Sequence, residues 1–523
     1  MNTQAVRGPS NPLSAQAAGA GDPLPGWLGY PRGAWLIIGI EFWERFSFYG
    51  MLAILALFLT GDVAQGGFGW SSTQALTLVG AYSGAMYAFP AFGGYLADRV
   101  LGRRRAVTLG ASVMLIGQML TASPGYLPTL LGIWHHAPLA EALRSLGVPL
   151  GQIGDRPDIS AAIAQHGASL DRLHGIGWLR EAYTASTLGF YAALFFLIVG
   201  NALMKSTLVV LCGETFRPDD PRRDGAFAYY YLGISVGAMA SGFLVGVASE
   251  HYGWPYGFGV AAVGMAISLS LYLLLGPRWL GGIGAKGAVG NSPGASAPRA
   301  PPSPPGENAR RIAMVLVLAA LLCVFSTGWF QMFGSWSLFI ERSVDRSLGG
   351  FVVPVAWFSS INSAVVILLA PAIAALWIRL SARNIQIDIV QKYFFALANA
   401  ALGNGLMYIA GLLSAHGAAA PLWMPILGVA LLGLGEIVAW TSTYGFVSRA
   451  APAGYASVTM GAWYLLTLGV GGYLSGVTGK WVDSIGYTST FASIAGVMAG
   501  GAAAALALRP ALVRLAARGN VSL

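Results

Sequence analysis

Apolar stretches of about 20 residues, each long enough to cross ~30 Å of hydrocarbon as a helix, recur along almost the whole of this chain. A backbone in lipid has no water to satisfy it, so a chain built this way folds as a bundle of spanning helices. Hydropathy marks twelve spans, at about residues 34–60, 74–97, 106–122, 187–212, 226–249, 254–275, 312–340, 354–378, 390–413, 422–446, 455–477 and 486–508. With 55% hydrophobic and 10% charged residues, the chain has too little polar side chain to cover a soluble globule. The 71 glycines agree, because small residues let spanning helices approach closely. Cys212 and Cys323 lie in or at the edge of apolar segments and suggest neither a disulfide framework nor a thiolate metal site.

Charge then sets the expected orientation, since Lys and Arg are retained on the cytoplasmic side. Placing both termini inside puts most of the 30 basic residues there. The net charge of +9 is therefore a topology signal rather than a nucleic-acid footprint. Residues 1–33, rich in Ala, Gly, Pro and Ser, predict a disordered cytoplasmic tail, with the first span as the targeting signal of an inner-membrane protein. Residues 276–311, with the run from Ala300 to Gly306, predict a flexible cytoplasmic linker between six spans (34–275) and six more (312–508), before a cytoplasmic tail at 509–523. The two halves share weak self-similarity: Ser241-Gly-Phe-Leu-Val-Gly246 resembles Gly472-Tyr-Leu-Ser-Gly-Val477. The expected fold class is thus an all-α polytopic membrane protein with the major-facilitator fold, two six-helix bundles and twelve transmembrane helices. A long external insert at 123–186 carries His135, His136, His166 and His174 at no spacing that matches a metal-ligand set, and predicts short external helices or a lid.

An ionised residue inside a span costs ~2.5 to 3.5 kcal/mol even on the lenient insertion scale, so it needs a partner or a water-filled cavity. Glu41, Glu44, Arg45, Lys205 and Glu436 are such residues. Glu41 and Arg45 are four apart, Glu41 and Glu44 three apart, which sets them on one helical face with Tyr49 a turn further. That face must look into the bundle, as a functional centre or as an ion-pair network holding helices together. Burial disfavours a charged carboxylate and a nearby cation favours it, so bringing these groups together or apart is a means of loading and releasing a proton, with Lys205 as the cationic switch. Two soluble-enzyme patterns are discounted: Gly233-Ile-Ser-Val-Gly237 lies inside an apolar helix with no histidine nearby, and Gly282-Ile-Gly-Ala-Lys-Gly287 has no preceding strand. No enzyme and no cofactor are expected.

The string Glu41-Phe-Trp-Glu-Arg-Phe-Ser-Phe-Tyr-Gly50 resembles the first-helix signature of the proton-dependent oligopeptide transporter family, a branch of the major facilitators. Further matches follow in order: Gly93-Gly-Tyr-Leu-Ala-Asp-Arg-Val-Leu-Gly-Arg-Arg-Arg105, the Lys205 helix, Asn362 with Pro371, Gly435-Glu436 and Trp463. The resemblance implies a small peptide held between the halves, its carboxylate near Arg45 and Lys205 and its amino group near Glu436 and Asn362. It also implies that Tyr49 and Tyr82 are pocket tyrosines. The chain departs from the family pattern at Phe48 (often tyrosine), at Ser235 (usually asparagine), at Phe330 (usually an acid) and at Trp440 (usually small). Losing the span-seven acid leaves coupling to Glu41, Glu44 and Glu436, and Trp440 narrows the pocket beside the amino-group site. The expectation is a proton-driven symporter of di- or tripeptides or related small zwitterions, working as a monomer. The alternative is a transporter of the same type with altered or lost coupling and a non-peptide, anionic substrate.

Overall fold

The computed structural model describes residues 26–61, 66–123, 176–217, 220, 222–284, 306–451 and 456–519. Eleven helices among the described residues are long and apolar enough to cross a membrane. Spans one to six are Arg32–Thr60, Ser72–Leu101, Arg103–Ala122, Ile176–Glu214, Arg222–Tyr252 and Trp254–Trp279. Spans seven to ten are Glu307–Ser343, Trp357–Ala382, Ile389–Ala415 and Trp423–Ala450, and span twelve is Val482–Arg518. Span eleven is an interrupted passage: helices Ala456–Tyr464 and Val470–Gly479 are joined through a π turn at Leu465–Gly469. At 1.5 Å per residue the three pieces together reach about 36 Å, enough to cross.

Local chemistry explains where hydropathy and helix part. Span two breaks at Pro90, which has no N–H to give and so ends one hydrogen-bonded run and opens another. Span seven is divided by a tight 3-10 turn at Gln331–Phe333, with the Gln331 amide donating to the Thr478 hydroxyl and the Ser475 carbonyl of span eleven. Span twelve continues through Arg518, past the expected start of the tail at 509. Arginines hold that end: Arg311 Nε donates to Gly519 O at 2.9 Å and Arg509 pairs with Asp388 at 2.7 Å. After span six the chain folds back on span three, where Arg104 Nε donates to Ile283 O at 2.8 Å. Residues 285–305 of the expected linker, 124–175 of the insert with its four histidines, and 1–25 of the expected tail lie outside the described residues.

Span one packs on five and six, and three on four; in the second half, nine packs on ten and twelve. Between halves the contacts run along two seams, span two against span eleven and span five against span eight. Glycine makes the first seam possible. A Cβ on Gly80 would sit 2.6 Å from the Gly476 Cα, and one on Gly84 would sit 3.1 Å from the Tyr473 Cβ, so the backbones meet with no side chain between them. The second seam repeats the device, with Gly242 and Gly246 against Ser360 and Ala356.

Both seams close the same end of the molecule, the end remote from Arg32 and Arg518, hereafter the far end. There Asp483 Oδ2 accepts the Thr73 N–H at 2.6 Å, and Glu250 Oε1 accepts the Val355 N–H at 3.0 Å and Arg346 Nη1 at 2.9 Å. Ser360 Oγ donates to Met239 O at 2.7 Å and Trp357 Nε1 to Phe243 O at 3.2 Å. Each seam thus carries a carboxylate from one half bound to a backbone N–H at the start of a helix of the other.

Candidate functional site

Below the closed far end, a cavity of about 120 Å³ opens between the halves. Span one supplies Glu41, Arg45 and Tyr49 to its wall, span four Lys205 and span five Ser235; from the other half come Asn362 of span eight and Glu436 and Trp440 of span ten. Most of the side chains singled out in the sequence therefore meet on one surface.

The first wall is an ion cluster. Glu41, Glu44 and Arg45 are 1–2% exposed. The guanidinium of Arg45 binds Glu44 in a fork, Nη2 to Oε1 at 2.6 Å and Nε to Oε2, so both Glu44 oxygens are committed. Glu44 stands behind Arg45, off the cavity wall. Glu41 is held more loosely: Oε1 lies 3.3 Å from Arg45 Nε, and the rest of the buried carboxylate stands beside the Tyr230 hydroxyl, with Oε2 in no hydrogen bond of full geometry among the described residues. Phe48 packs its ring 5.1 Å from the guanidinium carbon. The Lys205 ammonium lies 4.2 Å from the centre of the Tyr87 ring, with no carboxylate within 4.0 Å among the described residues, so its charge faces the cavity against an aromatic surface.

The opposite wall carries one acid. Both of its donors converge on one oxygen of Glu436, Trp329 Nε1 at 2.9 Å and Asn362 Nδ2 at 2.8 Å. These are neutral donors, and no cation lies within 4.0 Å of the carboxylate among the described residues. The Asn362 Oδ1 is buried and has no hydrogen-bond partner among the described residues, leaving a second acceptor beside the first. The cavity consequently has two cations with the Glu41 carboxylate on one wall and a carboxylate with an amide oxygen on the other, and with Glu41 protonated that spacing of charge suits a zwitterion.

Two expected pocket residues stand elsewhere. Tyr82 is buried behind the wall, its ring 6.4 Å from that of Phe48, and Tyr87 takes the cavity position instead. Trp463 is fully buried off the wall, and its neighbour Tyr464 lines the cavity. Side chains five apart on a helix point about 140° from one another, and adjacent ones about 100°, so a small error in helical phase exchanges wall for packing. Phe330, at the place of the span-seven acid, packs 6.0 Å from Tyr87, while Phe333 stacks on Tyr49 at 6.1 Å. Where the span-seven acid is missing, aromatic rings of spans one, two and seven meet.

Trp329 and Asn201 are residues the sequence reading did not single out. Arg45 Nη2 donates to Asn201 Oδ1 at 3.2 Å, and Asn201 lies four residues before Lys205, hence on the same face of span four. That spacing of a polar side chain in an apolar span is the signal that would have found it. Trp329 left no such signal, since an indole in an apolar span is ordinary packing material.

A family model described as the POT family matches residues 104–293 and 305–493. Among curated proteins, the chain is 25% identical over 519 residues to "Uncharacterized transporter YclF" of Bacillus subtilis, covering 90% of this chain and 92% of that one. It is 25% identical over 501 residues to "Peptide transporter YePEPT" of Yersinia enterocolitica, covering 85% and 86%. Among solved structures it resembles a peptide transporter POT in complex with sulfate, at 23% identity and a TM-score of 0.74, over 94% of this chain and 97% of that one. The fold is that of a major facilitator.

Proposed function

The chain belongs to the POT family and is a membrane transporter rather than an enzyme, and from that premise we propose that it carries di- and tripeptides or related small zwitterions in symport with protons. The observation that carries the substrate class is the division of charge across one cavity: Arg45 and Lys205 on one wall, Glu436 with the Asn362 carbonyl on the other. A guanidinium and an ammonium replace the hydration of a substrate carboxylate, and two oxygens receive its ammonium. A relative whose name is "Peptide transporter YePEPT" supports the same class. Trp440 and Trp329 line the space beside Glu436, which favours short side chains at the amino-terminal residue.

Coupling falls to Glu41. Of the two acids beside Arg45, Glu44 gives both oxygens to the guanidinium, whereas Glu41 lies on the cavity wall with one oxygen not engaged by it. Protonating Glu41 releases Arg45 from one of its two anions, and the freed positive charge then attracts a substrate carboxylate. Substrate and proton therefore bind in favour of each other. Alternating access follows if the two seams part at the far end while the opposite end closes. In the orientation with both termini in the cytoplasm, the far end is external and the described conformation faces inward.

Uptake by the purified protein in liposomes tests this reading. A panel of di- and tripeptides, single amino acids and small organic acids is offered with and without an inward proton gradient. Gradient-dependent accumulation of a short peptide, with acidification of the lumen on adding it, is the expected result. Uptake of no peptide in the panel rules out the substrate class, and peptide uptake indifferent to the gradient rules out the coupling.

A further inference from the structure

The break in span two creates a bonding problem that a residue of span four resolves. In a helix the carbonyl of residue 86 accepts from the N–H of residue 90, and here residue 90 is Pro90, which has none. Asn201 supplies the missing donor: its Nδ2 donates to Met86 O at 2.8 Å. The other end of the same amide, Oδ1, accepts from Arg45 Nη2 at 3.2 Å. A guanidinium only donates and a carbonyl only accepts, so the amide has a single orientation that satisfies both. Asn201 is 1% exposed, so bulk solvent does not reach either bond. The surroundings hold the two helices together at this point. Ser206 Oγ donates to Pro90 O at 3.1 Å, and a Cβ on Gly93 would run into the Ala202 carbonyl.

One side chain thereby connects the charged cluster on span one to the break in the helix that forms a far-end seam with span eleven. We infer that Asn201 is the positioning residue that couples Arg45 to span two, so that displacement of the guanidinium toward a substrate is felt as a change at the Pro90 break. This deepens the transport reading above and rests on it. An Arg45 that leaves Asn201 removes the donor that fixes the amide, and the Met86 carbonyl then loses the fixed orientation of the side-chain donor it has from Asn201. Above the break lie Gly80 and Gly84, the residues that let span two meet span eleven. Loosening the break therefore loosens the seam.

The test separates coupling from structural plugging. Asn201→Leu keeps the shape and deletes both bonds, while Pro90→Ala returns an N–H to the Met86 carbonyl. Spin labels at Thr77 and Leu348, in a full-length protein with Cys212→Ser and Cys323→Ser, read the far end without substrate. Asn201→Leu is expected to raise the ratio of far-end-open to far-end-closed molecules at least ten-fold and to lower maximal uptake per folded transporter by at least as much. Adding Pro90→Ala is expected to restore the melting temperature and the far-end-closed label distances but not uptake, because the Met86 carbonyl regains a donor while the link to Arg45 stays absent. Where Asn201→Leu does not fold, Asn201→Asp keeps the acceptor for Arg45, loses the amide donor, and is expected to shift the label distances in the same direction. Unchanged label distances, or recovery of distances, uptake and melting temperature together in the Pro90→Ala double variant, would overturn the coupling. A wild type that takes up no peptide instead defeats the substrate assignment, and the label distances still decide the role of Asn201.

Discussion

Glu436 is a carboxylate supported by an indole and an amide rather than by a cation. A charge kept this way is costly in the empty transporter, and on the zwitterion reading proposed above a substrate ammonium relieves it. Glu436→Gln keeps an acceptor oxygen for both donors and removes the charge, so its effect isolates electrostatics from geometry. A charge-assisted hydrogen bond contributes about 1.5–3 kcal/mol, which corresponds to a rise in KM of roughly ten- to hundred-fold. The same variant should narrow the preference for a free over an acetylated amino terminus, measured by competition in liposome uptake; an unaltered preference would remove Glu436 from the amino-group site. Trp329→Phe keeps the ring contacts with Phe330 and Phe333 and deletes one donor. A neutral hydrogen bond contributes about 1 kcal/mol, so a KM increase of about five-fold is expected, smaller than for Glu436→Gln and in the same direction. At the first wall, Glu41→Gln should leave substrate exchange intact and abolish the response to a proton gradient, because exchange requires no net proton movement. Loss of exchange as well would assign Glu41 to binding instead.

Among the elements, interruptions position the site more than regular helix does. The spans themselves are legible because lipid is a single apolar solvent that demands one kind of sequence, and each hydropathy stretch overlaps a helix. The charged cluster is legible for a related reason: an acid in a span has few reasons to be there, and Glu41, Arg45, Lys205 and Glu436 all line the cavity. Helical phase is not legible in the same way. Tyr464 adjoins the π turn at Leu465–Gly469, where an extra residue per turn rotates everything beyond it, and the Pro90 break follows Tyr87 within one turn. Of the two expected pocket aromatics that stand off the wall, Trp463 lies two residues before the π turn, whereas Tyr82 lies eight residues before Pro90 in regular helix. The glycines of span two have a sharper consequence. A Cβ on Gly80 would meet the Gly476 backbone, which cannot rotate away as a side chain can. Gly80→Leu should therefore destabilise the far-end-closed state by at least the ~1–3 kcal/mol typical of overpacking, seen as a lower melting temperature together with far-end labels moved apart. Full stability with closed labels would mean that the seam tolerates a side chain it has no space for.

At the scale of the whole molecule, the two seams make a single prediction about the cycle. Span two against eleven and span five against eight close the same end, each with glycines in backbone contact and each with a carboxylate of one half on an N–H of the other, Asp483 on Thr73 and Glu250 on Val355. With aromatic rings at Tyr87, Phe330, Tyr49 and Phe333 where the span-seven acid is missing, polar closure of the far end among the described residues rests on these two seams and on Arg342 Nη1 of span seven donating to Ser72 Oγ of span two at 3.2 Å. If the halves rock as rigid bodies, both seams must part in every turnover. A Cβ on Gly84 lies 3.1 Å from the Tyr473 Cβ, and one on Gly246 lies 3.0 Å from the Ala356 Cβ, both a few tenths of an ångström short of the usual ~3.5–4.5 Å of a disulfide. Gly84→Cys with Tyr473→Cys, or Gly246→Cys with Ala356→Cys, each in a background with Cys212→Ser and Cys323→Ser, places a reversible bolt on one seam at a time. Oxidation of either pair should stop uptake by more than ten-fold and a thiol reductant should restore it, while the single-cysteine proteins are indifferent to both. If only the span-two pair arrests transport, the halves do not move as rigid bodies. The far end then opens by bending span two at Pro90, and the span-five seam serves as its hinge.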